Sequence, residues 1–354
     1  MRQKKFLVRF SAAIGATILA ATIFAQSSPW PFPPRGGSTP KPSSPWPFPP
    51  RTTGTPQATP AARAPTVPTP QTSWPFTQGG STTAQTAAGT LTVAFWNIEW
   101  FPGGRPNASQ SEQMRQISAV QADMVQLKAD ILGLGEVNDF ASTGLAVQKL
   151  PGFKADVCAN FPAREGQKET QQVAIASRLQ PLSAWAEMWK PGPTTPPRGF
   201  AFAAYEPMPG QLLLVYAVHF KSNQGNIKAN IAMRQESVRQ LHSHMADMEK
   251  AYSKLGTIAW IVGGDFNTSL DDARFAEETT LRNLIERGFL WTWQNVPVAA
   301  RTTLPPSKQF PPACFDHIFY RGLKLRRAWV AATTPQSSDH RAAVATFDLS
   351  AAGR

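Results

Sequence analysis

The first 89 positions of this 354-residue chain hold no acidic residue, and cysteine is scarce throughout. The first absence goes with a shortage of aliphatic residues. That stretch is Pro, Thr, Ser, Gly and Ala, which cannot bury enough apolar surface to fold. The two cysteines, Cys158 and Cys314, allow one bridge at most in an exported protein. No Cys/His set has zinc-site spacing. Beyond the N-terminus no segment is long and apolar enough to span a membrane. What remains is about 260 residues from position 90 onward, within reach of one large α/β domain.

The start reads as an export signal. Arg2, Lys4, Lys5 and Arg9 make a basic region, residues 10–25 are apolar and uncharged, and Ala25 before Gln26 offers a cleavage point. Ile23 is larger than signal peptidase prefers, so an uncleaved anchor is the alternative, but the segment falls short of the ~20 residues a span needs. The expected location is secreted, or held at the cell surface or in the periplasm. Residues 26–89 are a Pro/Thr/Ser-rich linker. SSPWPFPPR occurs at 27–35 and unchanged at 43–51, with a shortened SWPF at 73–76. Such sequence favours an extended polyproline-II spacer. It is read as a tether, with contact between its Trp-Pro-Phe units and the cell surface as the sharper alternative. Residues 350–354 form a tail.

The formal net charge of +12 is unevenly spread. Eight basic residues precede position 90, leaving 27 basic against 23 acidic residues in the domain, a balance of +4. The domain therefore tolerates a polyanionic partner without demanding one.

Hydrophobic periodicity divides residues 90–349 into elements. Strands are expected at 91–96, 131–137, 173–177, 200–205, 212–220, 258–263, 315–320, 325–330 and 342–347. Helices are expected at 111–127, with Met114, Ile117, Met124 and Leu127 on one face, at 231–255, with Val238, Leu241, Met245, Met248 and Tyr252 as its stripe, and at 281–287. The mixture has no strict βαβ alternation, which points to two sheets packed on each other with helices outside.

The polar residues that break this pattern fall at strand ends. Asn97 and Glu99 lie in FWNIEW, Glu136 in ILGLGEVND, His219 in VYAVHFKSN, Asp265 and Asn267 in IVGGDFN, Asp316 in FDHIFY, and Asp339 and His340 in SSDHR. Asp265 and Asn267 are two apart, so on extended backbone they share a face. Gly263 and Gly264 let a ligand or another segment approach closely. Phosphodiester hydrolysis requires charge neutralisation at phosphorus, an oriented or deprotonated water, and help for the leaving oxygen. Glu136, Asn97 and Asp339 are hard oxygen donors suited to Mg²⁺, Mn²⁺ or Ca²⁺. Asp265 can orient water, and His219 and His340 stand beside acidic or amide residues. Taken singly, each motif is more often a solvated loop or a turn; the joint order is what counts.

In that order, WNIEW, a helix containing Arg115 and Gln116, ADILGLGEV, VHFKSN, GGDFN, FDHIF and SSDHR resemble the endonuclease/exonuclease/phosphatase superfamily, in an exported bacterial-type form, over nearly all of residues 91–349. The resemblance implies the fold of pancreatic deoxyribonuclease, a four-layer α/β sandwich of two mostly antiparallel or mixed β-sheets with flanking helices and a site at the mouth between the sheets. It implies Glu136 as principal metal ligand with Asn97 and Asp339, and Glu99 as a neighbouring acidic position. It implies His219 as phosphate-side histidine and general acid, Asp265 readying the water and Asn267 on the phosphate. Asp316 would orient His340, which stabilises phosphate or acts as base. Which histidine is acid differs between members. Two departures stand out. Gly135 replaces a glutamine often found before the metal glutamate, and the acidic partner of His219 falls at Glu169 or gives way to Gln171.

Lys221, Ser222 and Asn223 are further phosphate-contact candidates. His242 and His244 are expected on the exposed side of their helix. Trp291 and Trp293 are read as core rather than as base-stacking platforms. Three functions follow. The first is a secreted, monomeric, metal-dependent nuclease acting on DNA or RNA. The second is a sphingomyelinase-like hydrolase of a lipid headgroup or small phosphoester, which a long exposed aromatic hairpin around Trp185 and Trp189 would favour. The third is an inactive binding module.

Overall fold

The computed structural model describes residues 89–162, 171–308 and 310–349. The export signal, all but the last residue of the linker, Glu169 and the tail lie outside the described residues.

The domain opens with β1 (Thr90–Phe101). Its alternate residues separate cleanly: Leu91, Val93 and Phe95 face the second sheet, and Ala94, Trp96 and Ile98 face the helices. Helix α1 (Gln110–Leu127) starts at a capping box in which Ser109 and Glu112 satisfy each other's backbone amides. It returns the chain to β2 (Ile131–Val137), parallel to β1. Helix α2 (Phe140–Val147), β3 (Lys154–Cys158) and β4 (Gln172–Ser177) follow. Late in the chain, β11 (Lys324–Val330) and β12 (Ala343–Asp348) rejoin this sheet, giving the order β11-β12-β1-β2-β4-β3.

The second sheet holds β5 (Ser183–Met188), β6 (Gly199–Met208), β7 (Gln211–His219), β8 (Thr257–Asp265), β9 (Leu290–Trp291) and β10 (Asp316–Arg321), in the order β5-β6-β7-β8-β10-β9. Helix α3 (Ile227–Tyr252) links β7 to β8, which are parallel, and α4 (Thr280–Glu286) follows. Each sheet thus carries one parallel pair joined by a crossover helix, and its remaining ladders are antiparallel. The C-terminal ends of both parallel pairs meet at one edge of the sandwich.

The sheets are held close by glycine. A Cβ on Gly133 would fall 2.3 Å from the Phe95 ring, and one on Gly263 2.4 Å from it. The ring is therefore pressed between Gly133 of its own sheet and Gly263 of the other. Gly264 has φ +137° and abuts the Val218 carbonyl, where a Cβ would lie 1.9 Å away. The glycine pair of IVGGD serves the approach of protein segments.

Several expectations need correction. Met114 is 57 % exposed rather than packed. His242 and His244 are half-buried, not surface residues. His244 adjoins the α3 stripe one turn from Leu241 and Met248, so its ring is drawn against Tyr216, whose hydroxyl lies 2.9 Å from Nδ1. Helix α2, the edge strands β3 and β5, and the two-residue β9 were not anticipated. Cys158 and Cys314 are both free thiols. Among the described residues no helix is long and apolar enough to cross a membrane.

Candidate active site

A cleft of about 640 Å³ opens where the two parallel pairs end, and Asn97, Glu99, Glu136, His219, Lys221, Ser222, Asp265, Asn267, Asp339 and His340 line it. Asp316 and Asn223 stand behind this lining. β1 delivers Asn97, β2 Glu136, β7 His219 and β8 Asp265, each at or near its C-terminal end. Asp316 opens β10 directly opposite Asp265, and the turn before β12 brings Asp339 and His340.

Asn97 ties the two sheets together. Its Nδ2 donates to Glu136 Oε1 at 2.9 Å and to Asp265 Oδ2 at 3.2 Å, while its Oδ1 accepts from the Glu99 amide. His219 Nε2 lies 3.8 Å from Glu136 Oε1 and 3.7 Å from Asp265 Oδ2. His340 Nε2 lies 3.9 Å from Asp265 Oδ2, and its Nδ1 donates to the fully buried Asp316 at 2.7 Å. Groups far apart in sequence thus converge within a few ångströms.

The environments drive the two imidazoles apart. Burial pushes His219 well below the usual histidine range, and the nearby positive charges of Arg198, His340 and Lys221 add to this, so its ring is neutral. Burial also opposes charge on His340, but Asp316, by charge and hydrogen bond, with Asp265 and Asp339, more than offsets it; that ring is an imidazolium. Burial raises the Asp265 carboxyl to about 7, partly countered by His340. Glu99 is raised to about 7 by burial first, then by Asp339 and Glu136.

The backbone is unusually shaped here. Glu99, Trp100, Glu136, Arg198 and Asn267 all have φ between +44° and +70°, and all line the cleft. Such conformations persist only where surroundings over-determine them. The residues that hold this backbone were given no such role by the sequence, although Gln116 and Ser338 stand in its motifs. Gln116 on α1 donates to the carbonyls of Ile98, Glu99 and Ser337 and accepts from the amides of Gly103 and Gly104. Arg198 donates to the carbonyls of His219 and Phe220 at 2.9 and 2.7 Å. Ser338 Oγ donates to the Asn97 carbonyl and accepts from the His340 amide. These residues act on distant carbonyls and amides, a role with no local signature beyond Gln116's place in its helix. His317, also unremarked, is a buried neutral ring lowered to about 4 by burial; it bonds the Thr268 carbonyl and accepts from Trp291.

Lys221 Nζ donates to the carbonyls of Ser222 and Gln224 and to Ser222 Oγ. Gln171 accepts from Arg198 rather than from His219, whose Nδ1 has no hydrogen-bond partner among the described residues. Trp293 is fully buried and donates to the Asp316 carbonyl.

Whether these residues fit a divalent cation can be judged from their chemistry. Among the described residues no three His, Cys, Asp or Glu side chains close tightly enough to cage an ion. A Mg²⁺-type ion needs no such cage, because it keeps several waters and uses one or two carboxylates with substrate phosphate. Beyond burial, the charges of Asp339 and Glu136 also push the Glu99 carboxyl up. A hard cation relieves that repulsion, and the set fits one.

The sequence profile of the Endonuclease/Exonuclease/phosphatase family matches residues 94–340. No curated protein matches the chain. In fold it is similar to an endonuclease/exonuclease/phosphatase from Beutenbergia cavernae, at TM-score 0.54 and 17 % identity over 73 % of this chain and 72 % of that one. It is similar also to a family protein from Bacteroides thetaiotaomicron (0.53, 17 %, 73 % and 97 %) and to the human Nocturnin catalytic domain with bound sulfate anion (0.53, 17 %, 73 % and 94 %). The likeness to these structures is one of fold.

Proposed function

Because the chain belongs to the endonuclease/exonuclease/phosphatase family, a family of phosphoester hydrolases, we propose that it is a secreted, monomeric, divalent-metal-dependent phosphodiesterase that cuts DNA or RNA. The observation that carries this reading is the junction of Glu136, Asp265, His219 and His340 in one cleft.

The reaction is attack of water on phosphorus with loss of an alkoxide. Asp265 accepts the proton of the attacking water; a carboxyl raised to about 7 is matched to that task near neutral pH. The His340 imidazolium, held by Asp316, donates to a phosphate oxygen as charge builds there. Asn267 donates to the same group, and Asn97 keeps Asp265 and Glu136 in register. Glu136, with Asn97 and Asp339 and with Glu99 beside them, would hold the Mg²⁺ (or Mn²⁺ or Ca²⁺), which would supply Lewis-acid neutralisation of phosphate charge. The neutral His219 lies beside both carboxylates, so the leaving alkoxide takes its proton from solvent rather than from an imidazolium at this position.

The lipid alternative predicts aromatic side chains offered to a membrane. Trp189 is instead buried against Phe200 and Phe220, and Trp185 packs on Phe202 and His244. That takes away the aromatic hairpin on which the lipid reading leans. The test is to offer the purified protein plasmid DNA, RNA and sphingomyelin, each with Mg²⁺, Mn²⁺, Ca²⁺ or EDTA. Nucleic acid should be degraded by wild type and not by Asp265→Ala or His340→Ala. Release of phosphocholine with DNA and RNA intact transfers the assignment to lipid, and no turnover of any phosphoester refutes it.

A further inference from the structure

A pair of opposite charges is buried outside the cleft with no part in the chemistry above. The side chains of Arg234 on α3 and Glu278 before α4 are 0 % and 1 % exposed. A buried ion pair is a poor stabilising device, since apolar residues of similar volume often do as well or better. Its presence asks for a geometric reason.

The hydrogen bonds supply one. Arg234 Nε and Nη2 grip both Glu278 oxygens at 2.8 and 2.6 Å, and Thr280 Oγ1 fixes the same carboxylate. The fork is thereby locked. Its remaining nitrogen, Nη1, reaches out to the Lys221 carbonyl at 2.9 Å and to Asn223 Oδ1 at 3.0 Å. The other end of the Asn223 amide, Nδ2, donates to the Asn267 carbonyl at 2.8 Å. Asn267 sits at φ +54°, which a non-glycine residue holds only under constraint. Its own amide bonds Asp265 Oδ1, and its Nδ2 bonds the Phe220 carbonyl.

We propose that Glu278, Arg234 and Asn223 form a positioning relay that runs from the outer helices to Asn267 and sets the phosphate-facing side of the cleft. Asn223 is engaged by protein at both ends of its amide and acts through Asn267. The catalytic consequence rests on the phosphodiesterase reading; the structural one does not.

Two readouts on the full chain separate these. In hydrogen exchange, Asn223→Ala and Asn223→Asp (which keeps an acceptor for Arg234 but has no donor for Asn267) should speed exchange across residues 265–269 by about tenfold or more while α3 stays as in wild type. Arg234→Lys, which cannot form the fork, should fall between. With bis(p-nitrophenyl) phosphate and Mg²⁺, Asn223→Ala should lower kcat roughly 10- to 100-fold with KM nearly unchanged. Unchanged exchange at 265–269 overturns the relay, as does a raised KM with kcat intact, which would mark direct substrate contact. Faster exchange in a protein whose wild type cleaves no phosphodiester leaves the relay standing and sinks the function.

Discussion

Gly263→Ala tests how tightly the two sheets are locked. The added Cβ would lie 2.4, 2.4 and 2.6 Å from three carbons of the Phe95 ring, against the ~3.5–4.0 Å of an ordinary carbon contact. The ring must move by about 1 Å, yet Gly133 already closes its other face. Overpacking of this kind costs about 1–3 kcal/mol, and a ring confined on both sides belongs at the upper end. For a domain of this size 1 kcal/mol corresponds to roughly 2–4 °C, so a melting temperature lower by about 6–12 °C is expected. The double variant Gly263→Ala/Phe95→Leu frees the space, and its destabilisation should be smaller than the sum of the single effects by about 1–3 kcal/mol. Differential scanning calorimetry of the three variants decides the matter. A Gly263→Ala shift under ~2 °C, or strictly additive losses, would refute the packing argument.

Other substitutions probe the cleft and the charges around it. Asp316→Asn removes the foremost charge and the hydrogen bond that keep the His340 imidazolium protonated; losing one donor to the developing phosphate charge should lower kcat/KM by roughly 10²–10³-fold, and a loss below fivefold contradicts the assigned role. EDTA should abolish turnover and Mg²⁺ restore it, and Glu136→Gln should raise the Mg²⁺ needed for half-maximal rate by about 10- to 100-fold; a Mg²⁺-dependent rise in melting temperature, present in wild type and absent in the variant, checks binding without turnover. Burial raises Asp156, bonded to Tyr205, from 3.8 to about 6. The folded state therefore holds its proton longer than the unfolded chain, so stability falls as pH climbs from about 4 through 6, by roughly 3 kcal/mol at most. Asp156→Asn should melt higher than wild type above pH 6 and alike below pH 4; equal melting at pH 8 rules this out.

How much of this was legible in the sequence varied with burial. β2 and the α3 stripe were found because continuous apolar runs and helical spacing are imposed by the core itself. The edge strands β3 and β5 are half-exposed, with burial patterns that neither alternate nor run apolar, so nothing local marks them. Helix α2 is eight residues long and carries Gly144 in its middle. In the cleft, lining residues sit in recognisable strings such as GDFN and SDHR. The roles of Arg198, Ser338 and Arg234 were invisible because these residues grip main-chain atoms or amides brought near only by folding. Asn223 stood out as a phosphate-contact candidate, and folding adds what the sequence could not show, the bonds from its amide to Arg234 and Asn267.

The order in which the strands arrive has a consequence for biosynthesis. The first strand of the domain is flanked by the last, β12, and His340 lies just ahead of it. A ribosome must therefore complete almost the entire domain before the cationic imidazole can reach its aspartate, and any product truncated before β12 has an open edge on β1 and no functioning centre. The centre can therefore assemble only once the closing strand has taken its place beside the first.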